Sequence, residues 1–220
     1  ALMCFIYVLP AFNNFTFSSS ISKPIVENQT FEKLEIQEAG HLEELLMQNR
    51  EVVVVSGVRT AVGTFGGTLK DQPLVDLAAG VVREAVKRAQ VQPSEVGQVV
   101  FGNVIHTDPK DMYLARYAGI RGGLPIETPA FTLNRLCGSG LQAIVSASQW
   151  ILLGDTNAAV AGGAEMMSRV PYWLPGLRWG QRMNDGVAMD ALIGGLQDPF
   201  DSCHMGSTAE NICLLYTSPS

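Results

Sequence analysis

Residues 129–153 read PAFTLNRLCGSGLQAIVSASQWILL, and this stretch predicts a strand, a tight turn and a helix in direct succession. The strand is expected over residues 129–133 and the apolar helix over residues 141–153. Cys137 therefore lies at or near the N-terminus of a helix. Free backbone N–H groups and the positive end of the helix dipole favour a thiolate at such a position.

The residues around Cys137 allow two interpretations. Gly138 and Gly140 carry no side-chain bulk, so a thioester could approach the backbone closely. A sulfur nucleophile beside N–H donors is the beginning of an acyl-transfer site. The same residues also fit a small, buried cysteine that packs among glycines. The local sequence leaves both interpretations open.

The composition argues against several kinds of partner and site. The net charge is −6 and no run of Lys or Arg occurs, which argues against a nucleic-acid partner. The apolar stretch within residues 1–17 is too short to span a bilayer, so no membrane partner is expected. The four cysteines have neither paired metal-ligand spacing nor the density of a disulfide scaffold. We therefore expect no metal, and a reducing, cytoplasmic location.

Alternating strand and helix patterns predict an α/β fold. The valine run at residues 52–55 indicates a strand buried on both faces. Apolar residues at helical spacing predict an amphipathic helix over residues 74–90. Further strands are expected over residues 98–105 and 158–161, and a further helix over residues 111–120. These elements predict a largely parallel or mixed sheet with helices on its faces.

The two ends of this α/β region differ from it in character. Residues 1–46 are expected to be an upstream leader that is not part of the native protein, because Met47 directly precedes the first strong strand. After Arg169, frequent Pro and Gly residues indicate a loop-rich subdomain instead of another strand–helix unit.

Five stretches, taken in order, resemble motifs of the thiolase family. They are EVVVVSGVRT at residues 51–60, GTFGG at 63–67, NRLCGSG at 134–140, AGGAEMMS at 161–168 and HMGSTAEN at 204–211. The resemblance extends over residues 47–212 and is nearest to bacterial acetyl-CoA acetyltransferases and β-ketothiolases.

The resemblance implies a layered α-β-α-β-α fold made of two similar halves, with a loop domain inserted after the first half. On this basis residues 47–169 are the N-terminal α/β domain, residues 170–213 are part of the loop domain, and residues 214–220 are a foreign tail. Members of the family are usually dimers or tetramers. A homo-oligomer is therefore expected.

The resemblance also implies roles for individual residues. Cys137 matches the acyl-accepting nucleophile, whose own backbone N–H helps to hold the thioester oxygen. Leu196 matches an apolar contact to the pantetheine arm, and His204 and Met205 match residues beside the bound thioester. His204 could instead be a partner of Cys137, as in other Cys–His pairs. Glu165 allows two interpretations, a base or an acid favoured by a helix start.

The implied activity is that of an acetyl-CoA C-acetyltransferase or acyltransferase of short-chain metabolism. Cys137 would take an acyl group from an acyl-CoA, or from a 3-ketoacyl-CoA that is being cleaved. Coenzyme A thioesters would be the substrates, and no other cofactor is expected. Two alternatives remain open: a decarboxylating condensing enzyme that shares the fold, and a non-catalytic thiolase-like module that binds acyl-CoA.

The chain departs from the family pattern in its last residues. The family uses a downstream Gly-His-Pro block, an Asn-Glu-Ala-Phe block and a second catalytic Cys, and none of these occurs in the sequence. We therefore expect the 220-residue chain by itself to be inactive and prone to aggregate, because packing surfaces of its first half would be exposed.

Overall fold

The computed structural model describes residues 50–217 and, in addition, the backbone of residues 4–10. The expected start at Met47, most of the leader and the end of the tail at residues 218–220 lie outside the described residues. The strands are β1 Cys4–Pro10, β2 Val52–Val58, β3 Gln98–Gly102, β4 Ala130–Leu133, β5 Ala159–Gly163, β6 Tyr172–Trp173 and β7 Met189–Asp190. The α-helices are α1 Leu74–Ala89, α2 Leu114–Gly122, α3 Ser139–Leu152, α4 Ala191–Leu196 and α5 Met205–Tyr216.

The main sheet has five strands in the order β2-β1-β5-β3-β4. β3 runs parallel to both β4 and β5, whereas β1 runs antiparallel to β2 and β5. The predicted mixed sheet is therefore confirmed. The carboxyl ends of β3, β4 and β5 meet at one edge, and the loops that follow them lie together there.

Helices cover both faces of this sheet. Side chains alternate across a strand, so Val99 and Phe101 of β3 pack with α1 and α2, whereas Val100 packs with α3 on the opposite face. Ala143, Ala147 and Ile151 line the sheet-facing side of α3 and are fully buried. Leu141 and Val145 of α3, and Leu153 directly after it, point away from this core and are exposed.

The edge strand and the second helix differ from their predictions, and the strand predicted over residues 98–105 ends at Gly102. The strand at residues 52–55 is not buried on both faces: the side chains of Val54 and Val55 are 57% and 42% exposed, because β2 lies at the edge of the sheet. The helix expected from residue 111 begins as α2 at Leu114. The buried carboxylate of Asp111 instead accepts the backbone N–H groups of Thr107 and Asp108, within a 3₁₀ turn at Pro109–Tyr113.

The region after Arg169 consists of short elements, the β6–β7 ribbon and the helices α4 and α5. The foreign tail expected from residue 214 begins inside α5, which continues to Tyr216. Within the described residues, no helix is long and apolar enough to cross a bilayer.

Candidate active site around Cys137

Cys137 lies on the turn between β4 and α3, as the sequence predicts. The helix begins at Ser139, with Gly138 as its N-cap residue. The thiol of Cys137 is free and exposed. Because Cys137 is an exposed residue, the alternative of a cysteine buried among packing glycines is wrong.

The turn before Cys137 contains a backbone conformation that leucine rarely adopts. Leu136 has a φ of +48°, in the left-handed region. The side-chain oxygen of Asn134 accepts the N–H of Leu136 at 2.8 Å. The hydroxyl of Ser139 accepts the N–H of Arg135 at 2.8 Å and donates to the carbonyl of Leu136 at 2.7 Å. Side-chain hydrogen bonds from both ends of the turn therefore hold the unusual conformation.

The start of α3 lies directly against the end of β3. A Cβ added at Gly102 would lie 2.7 Å from the carbonyl carbon of Ser139 and 2.9 Å from the nitrogen of Gly140. These are backbone atoms, so no rotation of a side chain could relieve the overlap. Glycine at position 102 thus permits the close approach that places the Cys137 turn on the sheet edge.

We expect Gly102→Ala to destabilise the fold by about 1–3 kcal/mol, the usual cost of an overpacked core. Gly80→Ala in α1 is the matched control, since no atom beyond its own helix backbone and chain neighbours lies within 4 Å of the added methyl group. The control should stabilise the chain by about 0.5–1 kcal/mol, because alanine favours a helix over glycine. Urea unfolding of both variants tests this, and equal midpoints for the two would contradict the close approach at position 102.

Cys137 opens into a cavity of about 450 Å³. Most of the walls are apolar. They come from the loop after β3, the Cys137 turn with the first part of α3, the residues after β5, and α4. Val104, Ile105, Ile144, Met167, Leu192 and Leu196 provide apolar side chains, and Glu165 provides a carboxylate. An apolar cavity with few polar groups beside a free thiol suits an acyl thioester.

The predicted substrate-binding residues are only partly brought together. Leu196 lines the same cavity as Cys137. His204 and Met205 are not among the cavity residues; His204 caps α5, with its Nδ1 accepting the N–H of Gly206 at 3.0 Å. A backbone bridge between Gln197 and His204 connects the two parts of this region. The roles of Leu196, His204 and Met205 toward a substrate stay predictions.

Glu165 is not at the start of a helix, so that interpretation is wrong. It follows β5 and precedes a 3₁₀ turn at Met167–Arg169. Its carboxylate instead accepts the N–H of Val104 at 2.8 Å and the N–H of Ile105 at 3.0 Å. Sequence reasoning missed this contact. The signal that could have indicated it is that Glu165 follows the strand predicted over residues 158–161, whereas Val104 and Ile105 lie at the end of the strand predicted over residues 98–105.

Burial raises the pKa of Glu165 above its ordinary value, and the N–H groups of Val104 and Ile105 partly oppose this shift. A raised pKa in the folded state means that the folded chain binds the proton more tightly than the unfolded chain. Stability from this group is therefore present below pH 4.5, the ordinary pKa, and is lost as the pH rises through the raised value.

Glu165→Gln has no titratable group at this position, so comparison with the parent isolates the pH dependence of stability that comes from the Glu165 carboxyl group. We expect the parent chain to lose stability relative to Glu165→Gln as the pH is raised from 4.5 toward neutrality. Urea midpoints measured across this range test the expectation. Midpoints of parent and variant that change in parallel with pH would contradict it.

Among the described residues, no group of three or more His, Cys, Asp or Glu side chains is arranged to hold a metal ion. Cys203 and His204, which are adjacent in the sequence, thus do not gain a third ligand there. The sulfur of Cys203 lies 3.3 Å from the hydroxyl of Thr208.

Comparisons with known proteins agree with this architecture. The family model described as "Thiolase, N-terminal domain" matches residues 52–218. Beta-ketothiolase BktB of Cupriavidus necator is 64% identical over 167 residues, which are 76% of this chain and 42% of that protein. An acetyl-CoA acetyltransferase of Syntrophomonas wolfei is 46% identical over 170 residues, which are 76% of this chain and 43% of that protein.

Solved structures give the same result. The acetyl-CoA acetyltransferase of Bacillus anthracis superposes with a TM-score of 0.70 and 43% identity, over 74% of this chain and 41% of that one. Human mitochondrial 3-ketoacyl-CoA thiolase superposes with a TM-score of 0.70 and 39% identity over the same shares. The chain thus spans about two fifths of the length of the relatives it matches. Its matched region and its fold show that this chain belongs to the thiolase family.

Proposed function

We propose that this chain carries the acyl-accepting part of a thiolase, an acetyl-CoA C-acyltransferase. The observation that supports this most strongly is the exposed thiol of Cys137, at a strand-to-helix turn and at the wall of an apolar cavity. The names of the relatives, beta-ketothiolase and acetyl-CoA acetyltransferase, support the same chemistry.

The proposed reaction begins with attack by the sulfur of Cys137 on the carbonyl carbon of acetyl-CoA. A new carbon–sulfur bond forms, and the bond to the coenzyme A sulfur breaks. Coenzyme A leaves as a thiolate that takes up a proton, and an acyl-Cys137 thioester remains. The backbone N–H of Cys137 itself would help to hold the negative charge on the carbonyl oxygen, as the family resemblance implies.

In the second half-reaction, the α-carbon of another acetyl-CoA attacks the acyl-Cys137 carbonyl. The bond to Cys137 breaks, the sulfur is released as a thiolate, and a 3-ketoacyl-CoA is formed. The base that accepts the α-proton would come from the part of a thiolase that corresponds to the unmatched length of the relatives. The reverse sequence cleaves a 3-ketoacyl-CoA with coenzyme A.

The cavity beside Cys137 is the proposed binding site of the substrate. Leu196 would contact the pantetheine arm, since it lines the cavity that Cys137 opens into. His204 and Met205 would lie beside the thioester, as the family resemblance implies. Coenzyme A thioesters would be the substrates, and no further cofactor would be required. The protein would be a cytoplasmic homo-oligomer.

The exposed apolar side of α3 supports a second proposal, that another part of the protein covers this helix. Leu141 near the start of α3 and Leu153 at its C-cap are 67% and 65% exposed, and exposed apolar side chains of this size mark a surface that another segment can cover. A second half of the fold, as the resemblance implies, would bury these side chains.

A chimera gives a direct test of activity. Residues 47–213 would replace the matching region of Beta-ketothiolase BktB of Cupriavidus necator, with which this chain is 64% identical. We expect the chimera to cleave acetoacetyl-CoA with coenzyme A. A folded, soluble chimera without measurable cleavage would contradict the proposed function.

A further inference from the structure

We propose that Asn134 is a positioning residue that fixes the Cys137 turn against the cavity wall formed by the loop after β3. The inference rests on the proposed function, because it assigns a role toward Cys137 as the nucleophile. Asn134 follows β4 directly, and both the oxygen and the nitrogen of its side-chain amide make hydrogen bonds.

The first bond of Asn134 is local. Its Oδ1 accepts the N–H of Leu136 at 2.8 Å, two residues along the chain. This is an Asx-type turn, which imitates a backbone turn with a side chain. The bond supports the left-handed conformation of Leu136, whose φ is +48°. Leu136 immediately precedes Cys137, so its backbone conformation decides where the thiol is placed.

The second bond of Asn134 reaches across the site. Its Nδ2 donates to the carbonyl of Val104 at 3.2 Å. The N–H of Val104 in turn donates to the carboxylate of Glu165 at 2.8 Å. Val104 is therefore held on both sides of its backbone, by Glu165 through the N–H and by Asn134 through the carbonyl.

These bonds connect three of the loops that surround the cavity. Val104, Cys137 and Glu165 all line it. The series Glu165, Val104, Asn134, Leu136 runs from the residues after β5, through the loop after β3, to the nucleophile turn. Asn134 thus sets the distance between the nucleophile and the opposite wall, where the acyl group would lie.

A purely structural asparagine would lower the stability of the fold without changing the chemistry of a folded molecule. A positioning asparagine changes the reactivity of Cys137 while the fold persists. Alkylation by iodoacetamide separates the two roles, because it reports on the thiol directly. Cys203 and Cys213 are partly buried cysteines in the same chain and provide internal references.

The experiment uses the 220-residue chain and two variants. Asn134→Ala removes both hydrogen bonds. Asn134→Ser keeps a short hydroxyl that can accept the N–H two residues ahead, although more weakly than asparagine does, and it cannot reach Val104. Peptide mapping by mass spectrometry gives the alkylation rate of each cysteine at neutral pH.

We expect Asn134→Ala to slow the alkylation of Cys137 roughly fivefold, which is the size of the net contribution of a typical hydrogen bond. The rates at Cys203 and Cys213 should stay within about twofold of the parent, since no positioning bond is lost there. Asn134→Ser should recover part of the Cys137 rate, because it restores the local turn.

An unchanged alkylation rate of Cys137 in Asn134→Ala would overturn the proposal. A Cys137 alkylation rate in Asn134→Ser that is no faster than in Asn134→Ala would overturn it too. If Asn134→Ala unfolds the chain, Cys137, Cys203 and Cys213 react faster together, and the serine variant then decides. In Asn134→Ser, the alkylation of Cys137 must be slower than in the parent, whereas the alkylation of Cys203 and Cys213 stays the same. An unchanged alkylation rate at Cys137 in a folded serine variant overturns the proposal.

Failure of the proposed function would look different. In that case Cys137 would not accept an acetyl group from acetyl-CoA, whereas its alkylation would still depend on Asn134. Iodoacetamide needs no recognition of coenzyme A, so the two outcomes are measured separately.

Discussion

Removing residues 1–46 should destabilise the described fold severely. In the main sheet β2 pairs with β1 alone, from Phe5 opposite Val58 to Pro10 opposite Val52. β1 also pairs with β5, from Cys4 opposite Gly163 to Val8 opposite Ala159. Without β1, the edges of two strands would lose their hydrogen-bonding partners at once.

The expected loss is about 5 kcal/mol or more, since several ladder hydrogen bonds of about 1 kcal/mol each are lost on two edges. This is comparable to the whole stability of many domains. Urea unfolding of a chain that starts at Met47, compared with the parent, measures the loss. Ile6→Pro is a second variant that disrupts the same strand pairing. It keeps the chain length and removes a backbone N–H from β1.

The deletion also tests the expectation that residues 1–46 are a leader outside the native protein. Equal urea midpoints for the parent and the chain starting at Met47 would contradict the role of β1 and favour the leader. The family match begins at Val52, within one residue of the start of the first motif. If residues 1–46 are a leader, another segment would have to fill the gap between β2 and β5.

Replacing Cys137 by alanine should abolish acyl transfer in the chimera with the Cupriavidus necator enzyme. Loss of a covalent nucleophile costs about 10⁴-fold or more in turnover, because no other group on the turn can form the thioester. Stability should change by less than about 0.5 kcal/mol, as is usual for an exposed position. Thiolysis of acetoacetyl-CoA and urea unfolding are the two measurements.

Cys213→Ala is the matched control for this variant. Cys213 lies on α5, outside the cavity residues, and is also a free cysteine. Its replacement should leave turnover unchanged. Turnover that survives in Cys137→Ala, or disappears equally in Cys213→Ala, would contradict the assignment of the nucleophile.

Local elements were predictable because their signals are local. The helix expected over residues 74–90 is α1, Leu74–Ala89, since its apolar residues recur at helical spacing. The turn with Cys137 was predictable for the same reason. The helix that follows begins at Ser139, two residues before the expected start, because the residues after Cys137 already adopt helical geometry.

The order of the strands was not predictable from these patterns. β1 lies inside the main sheet, between β2 and β5, although its residues precede β2 by more than forty positions in the sequence. An isolated apolar stretch near a terminus fits a leader as well as a strand. Long-range strand pairing decides between a leader and a strand, and the periodicity of the sequence carries no information about that pairing.

The contacts of Glu165 and Asn134 were missed for a similar reason. Each makes its important hydrogen bond to Val104, which is 61 and 30 residues away in the chain. These residues meet because β3, β4 and β5 end at one edge of the sheet. Only the strand order brings them together, whereas Cys137 could be recognised from its immediate neighbours.

The most direct test of the account is to locate an acetyl group after incubation of the chimera with acetyl-CoA. The protein would be quenched in acid, digested and mapped by mass spectrometry. The account predicts one acetyl group on the peptide that contains Cys137, and none on the peptides with Cys203 or Cys213. An acetyl group on a different residue, or active enzyme without any adduct at Cys137, would contradict it.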